Sequence, residues 1–350
     1  MKSGYNEGRL KMRRGDNMKL IAFGVREDER PYFKEWVSQK ENLELKLVPE
    51  LISDETIDQI KGFDGIVSLQ TTPYKREYFE KMKAAGIKVL SIRNIGIDNI
   101  DLEAAKDNQI PITNVPAYSP SAIAEFTITQ LMQLIRHTKQ FNEKMQRQDF
   151  RWEPNISTQI NQMTIGVMGT GRIGRAVIKL LQGLGATVIA YDPYENAELK
   201  AEKIYVNSVD ELYAKSDAIT LHMPATKDDY HLFNSETFKK MKDGVLIINT
   251  ARGTLIDSKA LITALDSGKV GGAALDTYEH ELPIFNHNLA GKKINDEVFN
   301  NLYKRDNVLI TPHIAFYTTE AVKNMVNVAL DCAYTYLTTG KQNNPVVKID

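Results

Sequence analysis

Three short stretches set reactive side chains directly after apolar runs: Asn249-Thr250-Ala251-Arg252-Gly253, Asp276-Thr277-Tyr278-Glu279-His280-Glu281 and Thr311-Pro312-His313-Ile314-Ala315. If each run is a strand of one parallel sheet, an arginine, carboxylates and a histidine arrive together at the carboxyl ends, where such sheets bind ligands. A guanidinium is a permanently charged planar fork that matches a carboxylate. An imidazole titrates near neutrality, so it can give and take a proton. A carboxylate beside it favours the charged form, and Glu279 and Glu281 compete for that place. A fourth stretch, Gly169-Thr170-Gly171-Arg172-Ile173-Gly174, follows the apolar run 164–168 and opens a helical pattern through Leu184. Its glycines suit a tight turn (Gly169), close approach of backbone to a pyrophosphate (Gly171) and helix–strand packing (Gly174). Free N–H groups at the helix start attract phosphate. Asp192 ends the next apolar run, 18 residues after Gly174, where an acid accepts from ribose hydroxyls and repels a 2′-phosphate.

These side chains need a scaffold, and the chain alternates apolar strands with amphipathic helices. Strands are predicted over 18–25, 43–48, 64–69, 87–92 and 110–115, with helices such as 53–60 and 74–84 between them. After the loop Pro116-Ala117-Tyr118-Ser119-Pro120, one uninterrupted helix is predicted from Ser121 to about Lys144, with Ile123, Phe126, Ile128, Leu131, Leu134 and Ile135 near helical spacing. A second α/β series follows, with strands at 164–168, 187–192, 218–223, 244–250, 272–276 and 307–313. Residues 318–339 read as a helix, and 340–350 as a polar tail with one short apolar stretch. The fold class is α/β, built on doubly wound parallel sheets.

Composition narrows the function. The 350 residues, about two domains' worth, carry 44 Lys+Arg against 45 Asp+Glu, a balance without the basic footprint of a nucleic-acid binder. No apolar run has the length of a membrane span. A single cysteine, Cys332, excludes an intrachain disulfide framework and fits a reducing, cytoplasmic setting. No His, Asp or Glu set has metal-ligand spacing, so no metal is expected. His222 reads as a structural residue of a cofactor loop, while His137, His231, His280 and His287 show no constellation along the sequence. Residues 1–17 lack an apolar period and are expected to be a disordered extension. Arg13-Arg14-Gly15-Asp16 is what a purine-rich ribosome-binding sequence would encode, so an early start codon and a native tail or vector remnant are alternative sources.

From Met18 to Val347 the chain resembles the D-specific 2-hydroxyacid dehydrogenases, and within them the D-lactate and D-2-hydroxyisocaproate branches of lactic acid bacteria. The resemblance rests on RNIGIDNID (93–101), NVPAYSPSAIAEF (114–126), GVMGTGRIG (166–174), SDAITLHMP (216–224), INTARG (248–253), DTYEHE (276–281) and TPHIAFYT (311–318). It implies two Rossmann-like domains with the cofactor domain inserted into the other: 18–117 plus 318–350 as the substrate-binding domain and 118–317 as the NAD-binding domain, closing on their ligands. It implies NAD-dependent reduction of a 2-oxoacid, pyruvate to D-lactate in the first place, with larger branched or aromatic oxoacids as the alternative. It also implies a small-molecule substrate and a homodimer formed around the 121–144 helix.

On this resemblance Arg252 grips the oxoacid carboxylate and carbonyl, His313 is the general acid and base, and Glu281 pairs with His313. Leu282-Pro283 after that glutamate departs from the immediate proline of many relatives. Backbone N–H groups around Asn94, Ile95 and Gly96 bind the carboxylate, and Leu69, Tyr118 and Phe316 line the substrate pocket. Gly169, Gly171, Arg172, Ile173, Gly174, Asp192, Met223, Pro224, Thr250 and Asp276 hold the cofactor, with Asp276 on the nicotinamide amide. The class outside enzymes that shares this fold is an NAD-sensing corepressor-like module. The absence of basic or low-complexity interaction segments favours a metabolic enzyme.

Overall fold

The computed structural model describes residues 17–349, so all but Asn17 of the expected extension lies outside the described residues. The chain divides into two compact units. One runs through Tyr118 and resumes at Thr318; the other is Ser119–Tyr317.

The strands are, in chain order, β1 (Met18–Phe23), β2 (Leu43–Leu47), β3 (Gly65–Ser68), β4 (Val89–Ile92), β5 (Ile112–Thr113), β6 (Thr164–Met168), β7 (Thr187–Tyr191), β8 (Ala218–Leu221), β9 (Val245–Asn249), β10 (Val270–Leu275), β11 (Val308–Ile310) and β12 (Pro345–Val347). The first unit holds a six-stranded sheet in the order β12-β5-β4-β3-β1-β2, and the second a six-stranded sheet in the order β11-β10-β9-β8-β6-β7. In each, the second strand of the unit pairs on one side of the first and the third on the other, as in β1 with β2 and β3, and β6 with β7 and β8. That reversal makes a crevice outside the carboxyl ends of the first and third strands, the usual ligand position in such sheets.

Both faces of each sheet are covered, so the central strands are apolar without alternation. β3 and β4 are buried at every residue. One face of the first sheet packs on the helix Thr319–Thr339 through Val326, Ala329, Leu330, Ala333 and Leu337. Its other face packs against Phe79, Met82, Ala104 and Ala105. In the second unit the helix Pro120–Ile135 contributes Ala124, Leu131, Leu134 and Ile135 to a cluster with Val177, Ile178 and Leu181 of the helix Arg172–Gly183. Among the described residues, no helix is long and apolar enough to cross a membrane.

Three expectations are corrected. The predicted 121–144 helix is two helices, Pro120–Ile135 and Thr138–Gln146. The break is His137, left-handed at φ 52°, while the Thr138 hydroxyl donates to the orphaned Gln133 carbonyl. The predicted helix at 53–60 is a turn followed by a 3-10 segment, Ile57–Ile60. There the Thr56 hydroxyl donates to Leu51 O and accepts from Ser53 N, side-chain bonds that compete with a regular helix. The tail contains β12, antiparallel to β5. Pro345 heads this edge strand, a position where its missing N–H is tolerated.

Candidate active site

The dinucleotide turn leaves β6 at Met168. Gly169 is left-handed at φ +88°, and a Cβ there would lie 2.5 Å from His222 O of the loop after β8. A Cβ on Gly174 would lie 1.9 Å from Gly169 O, so only glycine lets the helix start so close to the strand. Gly171 differs. It caps the helix Arg172–Gly183, and a Cβ there meets nothing within 4 Å. Packing does not demand a glycine at Gly171, but a phosphate approaching the backbone does. Asp192, just past β7, accepts from Thr170 N (2.6 Å), Thr170 Oγ1 (3.1 Å) and Tyr194 N (2.8 Å), which fixes the acid beside the turn. These residues fit a dinucleotide.

The remaining cofactor candidates surround the turn unevenly. Arg172 and Pro224 are exposed, and Ile173 and Met223 are half-buried against the unit's core. Thr250 is buried, its hydroxyl 2.9 Å from that of Thr127. His222 shares a hydrogen bond with the Thr220 hydroxyl at 2.9 Å, and burial pushes its pKa down to about 3, leaving it neutral.

Beyond β8 on the same sheet edge stand the loops after β9, β10 and β11. After β9, Asn249 organises the turn: its Nδ2 donates to Arg252 O (2.8 Å) and its Oδ1 accepts from Ala251 N (3.0 Å). Arg252 is half-buried, and its Nη1 donates to Ala251 O at 2.8 Å. Gly253 lies so close to the next loop that a Cβ would be 2.1 Å from Tyr278 C and 2.4 Å from Glu279 N.

After β11, His313 adopts φ 56°, an uncommon conformation for a side-chain-bearing residue. Its Nδ1 lies 2.8 Å from Glu281 Oε1. A carboxylate only accepts, so Nδ1 carries the hydrogen and Nε2 is left to face a reactant. Burial disfavours the His313 imidazolium, and the nearby Arg252 charge opposes it too. The Glu281 hydrogen bond and charge, with the Asp276 charge, outweigh both and raise the pKa above the usual histidine value. Glu281 is itself fixed, its Oε2 accepting from Tyr278 N at 3.0 Å.

The two competing glutamates therefore part company, because Glu279 Oε2 lies 2.8 Å from His231 Nε2 instead. His231, read from sequence as having no constellation, has one. The reading missed it because its partner lies 48 residues away in the chain. Asp276, the residue expected on the nicotinamide amide, also braces the His313 turn. It accepts from Thr311 Oγ1 (2.6 Å), Ile314 N (2.9 Å) and Ala315 N (2.8 Å). Its burial raises its pKa despite these bonds, which favour the charged form. Gln130 extends the set by donating to Thr311 Oγ1 at 3.0 Å. Asn249, Thr311 and Gln130 were not singled out from the sequence. Asn249 and Thr311 stand inside the motifs, whereas Gln130 carries no local signal. Phe316 is half-buried with its ring edge-on to Tyr317.

In the first unit, Leu69 follows β3 at the strand reversal, half-buried. A Cβ on Gly24, after β1, would lie 2.4 Å from Leu69 O, so glycine sets the height of this loop. Asn94, Ile95 and Gly96 follow β4 and are half-buried. Val115 N donates to Asn94 O (3.2 Å) and Asn114 Nδ2 to Ile95 O (2.9 Å). Tyr118 packs on the cluster under the Thr319–Thr339 helix, and its carbonyl accepts from Asn324 Nδ2 at 2.8 Å. The sequence reading also missed Arg93, fully buried, whose Nη1 lies 2.7 Å from Glu29 Oε1 and whose Nη2 donates to Phe23 O and Gly24 O at 2.8 Å. It ties the end of β1 to the start of the Asn94 loop.

Comparison with known proteins agrees with this geometry. Residues 128–315 match the family model for the NAD binding domain of D-isomer specific 2-hydroxyacid dehydrogenases. The chain is 56% identical to a D-lactate dehydrogenase of Lactiplantibacillus plantarum over 329 residues, 94% of this chain and 99% of that one. A solved D-2-hydroxyisocaproate dehydrogenase superposes with a TM-score of 0.87 at 44% identity, covering 95% of this chain and all of the other. The NAD-complexed form of a D-isomer specific 2-hydroxyacid dehydrogenase from Lactobacillus delbrueckii superposes with a TM-score of 0.81 at 34% identity, covering 94% of this chain and 100% of that one. With more than half of its length inside the family model and relatives this similar end to end, the chain belongs to the D-isomer specific 2-hydroxyacid dehydrogenases and uses NAD.

Proposed function

We propose that this enzyme reduces pyruvate to D-lactate. The observation that carries the reading is the Nδ1–Oε1 hydrogen bond of 2.8 Å between His313 and Glu281, at the edge of the same sheet that presents Arg252 after β9. His313, kept protonated by Glu281, gives its Nε2 proton to the carbonyl oxygen of the oxoacid as that carbon is reduced. Arg252 holds the carboxylate and steadies the growing negative charge on the carbonyl oxygen. In the first unit, backbone N–H groups of Asn94, Ile95 and Gly96, with Leu69 and Tyr118, are its proposed contribution to substrate binding. Bound NADH supplies the hydride. In the reverse direction His313 takes the proton from the hydroxyl. The reading of pyruvate as substrate is supported by the Lactiplantibacillus plantarum relative's name, D-lactate dehydrogenase.

The working form we propose is a cytoplasmic homodimer. Phe150, Trp152 and Ile156 are 74%, 79% and 92% exposed in the single chain, an apolar group of the kind that marks protein contacts.

The deciding experiment is NADH oxidation with a panel of 2-oxoacids, followed by chiral analysis of the product. D-lactate from pyruvate is the expected result. No turnover of any 2-oxoacid, or an L product, would overturn the reading.

A further inference from the structure

We propose that His231 and Glu279 are a positioning pair that holds the Arg252 turn and the Glu281 loop in register. The inference rests on the roles given above to Arg252 and Glu281, which come from different strand ends and have to be placed together.

Their common contact is Gly253 against the peptide joining Tyr278 to Glu279, where a Cβ would come within 2.1–2.4 Å of backbone atoms. A contact this close leaves no room for a side chain between the two loops. His231 reaches both sides of it. Its backbone N donates to Thr254 O at 2.9 Å, directly after Gly253. Its Nε2 donates to Glu279 Oε2 at 2.8 Å, directly after Tyr278. Around it, Phe233 N donates to Leu255 O and Asp257 N to Phe233 O, both at 2.9 Å, so the segment is laced along the turn that follows Arg252. Glu279 Oε1 accepts from Ser258 N at 3.2 Å, adding a second tie from the carboxylate to the chain after that turn.

An exposed histidine–carboxylate pair would be worth little. This pair is not exposed. The Glu279 side chain is 8% accessible and that of His231 26%, with the Tyr230 ring stacked on the imidazole at 3.9 Å between centroids. The imidazole is held in a left-handed residue, φ 52°, with its carbonyl bonded by Asn234 Nδ2 at 2.9 Å. Asp257 Oδ2 stands 3.8 Å from Nδ1 on the other side. Neither His231 nor Glu279 bonds to His313 or Glu281, so the pair acts through backbone placement and not by sharing the proton.

The test compares full-length wild type, His231→Leu and Glu279→Gln in steady-state kinetics with pyruvate and NADH across pH, alongside NADH binding by fluorescence. His231→Leu removes the Nε2–H. Glu279→Gln keeps the shape but exchanges one acceptor for a donor, which weakens the ties without removing the side chain. Misplacing a binding group by about 1 Å can cost about 10²-fold. A rise of roughly tenfold or more in pyruvate KM is expected for His231→Leu and a smaller one for Glu279→Gln. NADH binding, set at the Gly169–Gly174 turn, stays at the wild-type level, and the pH midpoint of kcat/KM falls as the Glu281 loop loosens from His313.

Wild-type pyruvate KM in a folded His231→Leu protein would overturn the proposal, as would a loss confined to kcat, which signals fewer active molecules. A pH midpoint raised above the wild-type value would overturn it equally, because loosening Glu281, the larger raising influence on His313, lowers it. If His231→Leu does not fold, unchanged kinetics in a folded Glu279→Ala, which removes both acceptors, are decisive against the proposal. Inactive wild type on every 2-oxoacid would refute the proposed function itself, a separate outcome.

Discussion

His313 and Glu281 meet at 2.8 Å across two loops, with the histidine in a left-handed conformation and the glutamate anchored to Tyr278 N. The proton needed for reduction is on His313 below its pKa and lost above it. Burial and Arg252 push that pKa down, and Glu281 and Asp276 push it up with the larger combined effect. Glu281→Gln deletes the larger raising contribution, so the pKa falls. The high-pH limb of pyruvate reduction then moves to lower pH, and the low-pH limb of lactate oxidation moves the same way. Paired pH–rate profiles check both signs; an unmoved limb would remove Glu281 from the mechanism.

His313→Gln removes the acid itself. General acid catalysis is worth about 10²–10⁴ in rate, so turnover should fall by that range. NADH titration should give a wild-type dissociation constant, because the dinucleotide turn is separate from the histidine.

Gly171→Ala separates fold from cofactor. Nothing lies within 4 Å of the added Cβ, and the backbone there is in the ordinary φ −62° region. Stability to urea should stay within about 0.5 kcal/mol of wild type, while NADH binding weakens, since the methyl occupies the space a phosphate approaches. Gly174→Ala, whose Cβ would meet Gly169 O at 1.9 Å, should instead lose stability measurably.

Asp192 is proposed to govern the choice of dinucleotide. Its carboxylate would face an added 2′-phosphate with like charge, and hydrogen bonds to charged groups are worth about 1.5–3 kcal/mol. Asp192→Ser should cost NADH about tenfold or more in kcat/KM and improve NADPH. Equal use of both cofactors by the wild type would refute this role. Part of the loss will come from the turn, because Asp192 also holds Thr170 N and Tyr194 N.

Leu69 is proposed to set substrate size. A leucine leaves space that a tyrosine would fill, and each buried methylene is worth about 0.8 kcal/mol, roughly fourfold in affinity. The wild type should accept 2-oxoisocaproate or phenylpyruvate besides pyruvate, and Leu69→Tyr should shift preference to pyruvate. A wild-type preference for pyruvate of a hundredfold or more in kcat/KM, about 2.7 kcal/mol, would show that Leu69 does not control the pocket.

The sequence by itself determined the features that depend on neighbouring residues. The Gly169–Gly174 turn, the acid at the end of β7 and the arrival of Arg252, Glu281 and His313 at strand ends were legible. Strand period, glycine spacing and turn chemistry are local physics. Tertiary structure decided the rest. Which glutamate serves which histidine could not be read from an alternating Glu-His-Glu. It follows from partners 32 and 48 residues distant, His313 and His231. The break at His137 came from one left-handed residue in a pattern whose apolar spacing continues through it. β12 exists because β5 offers it an edge, and a three-residue strand with a leading proline shows too little period to be recognised alone. The Gly253 contact that sets Arg252 beside the Glu281 loop is likewise long-range. A glycine after an arginine is unremarkable until the backbone of Tyr278 is found where its side chain would have been.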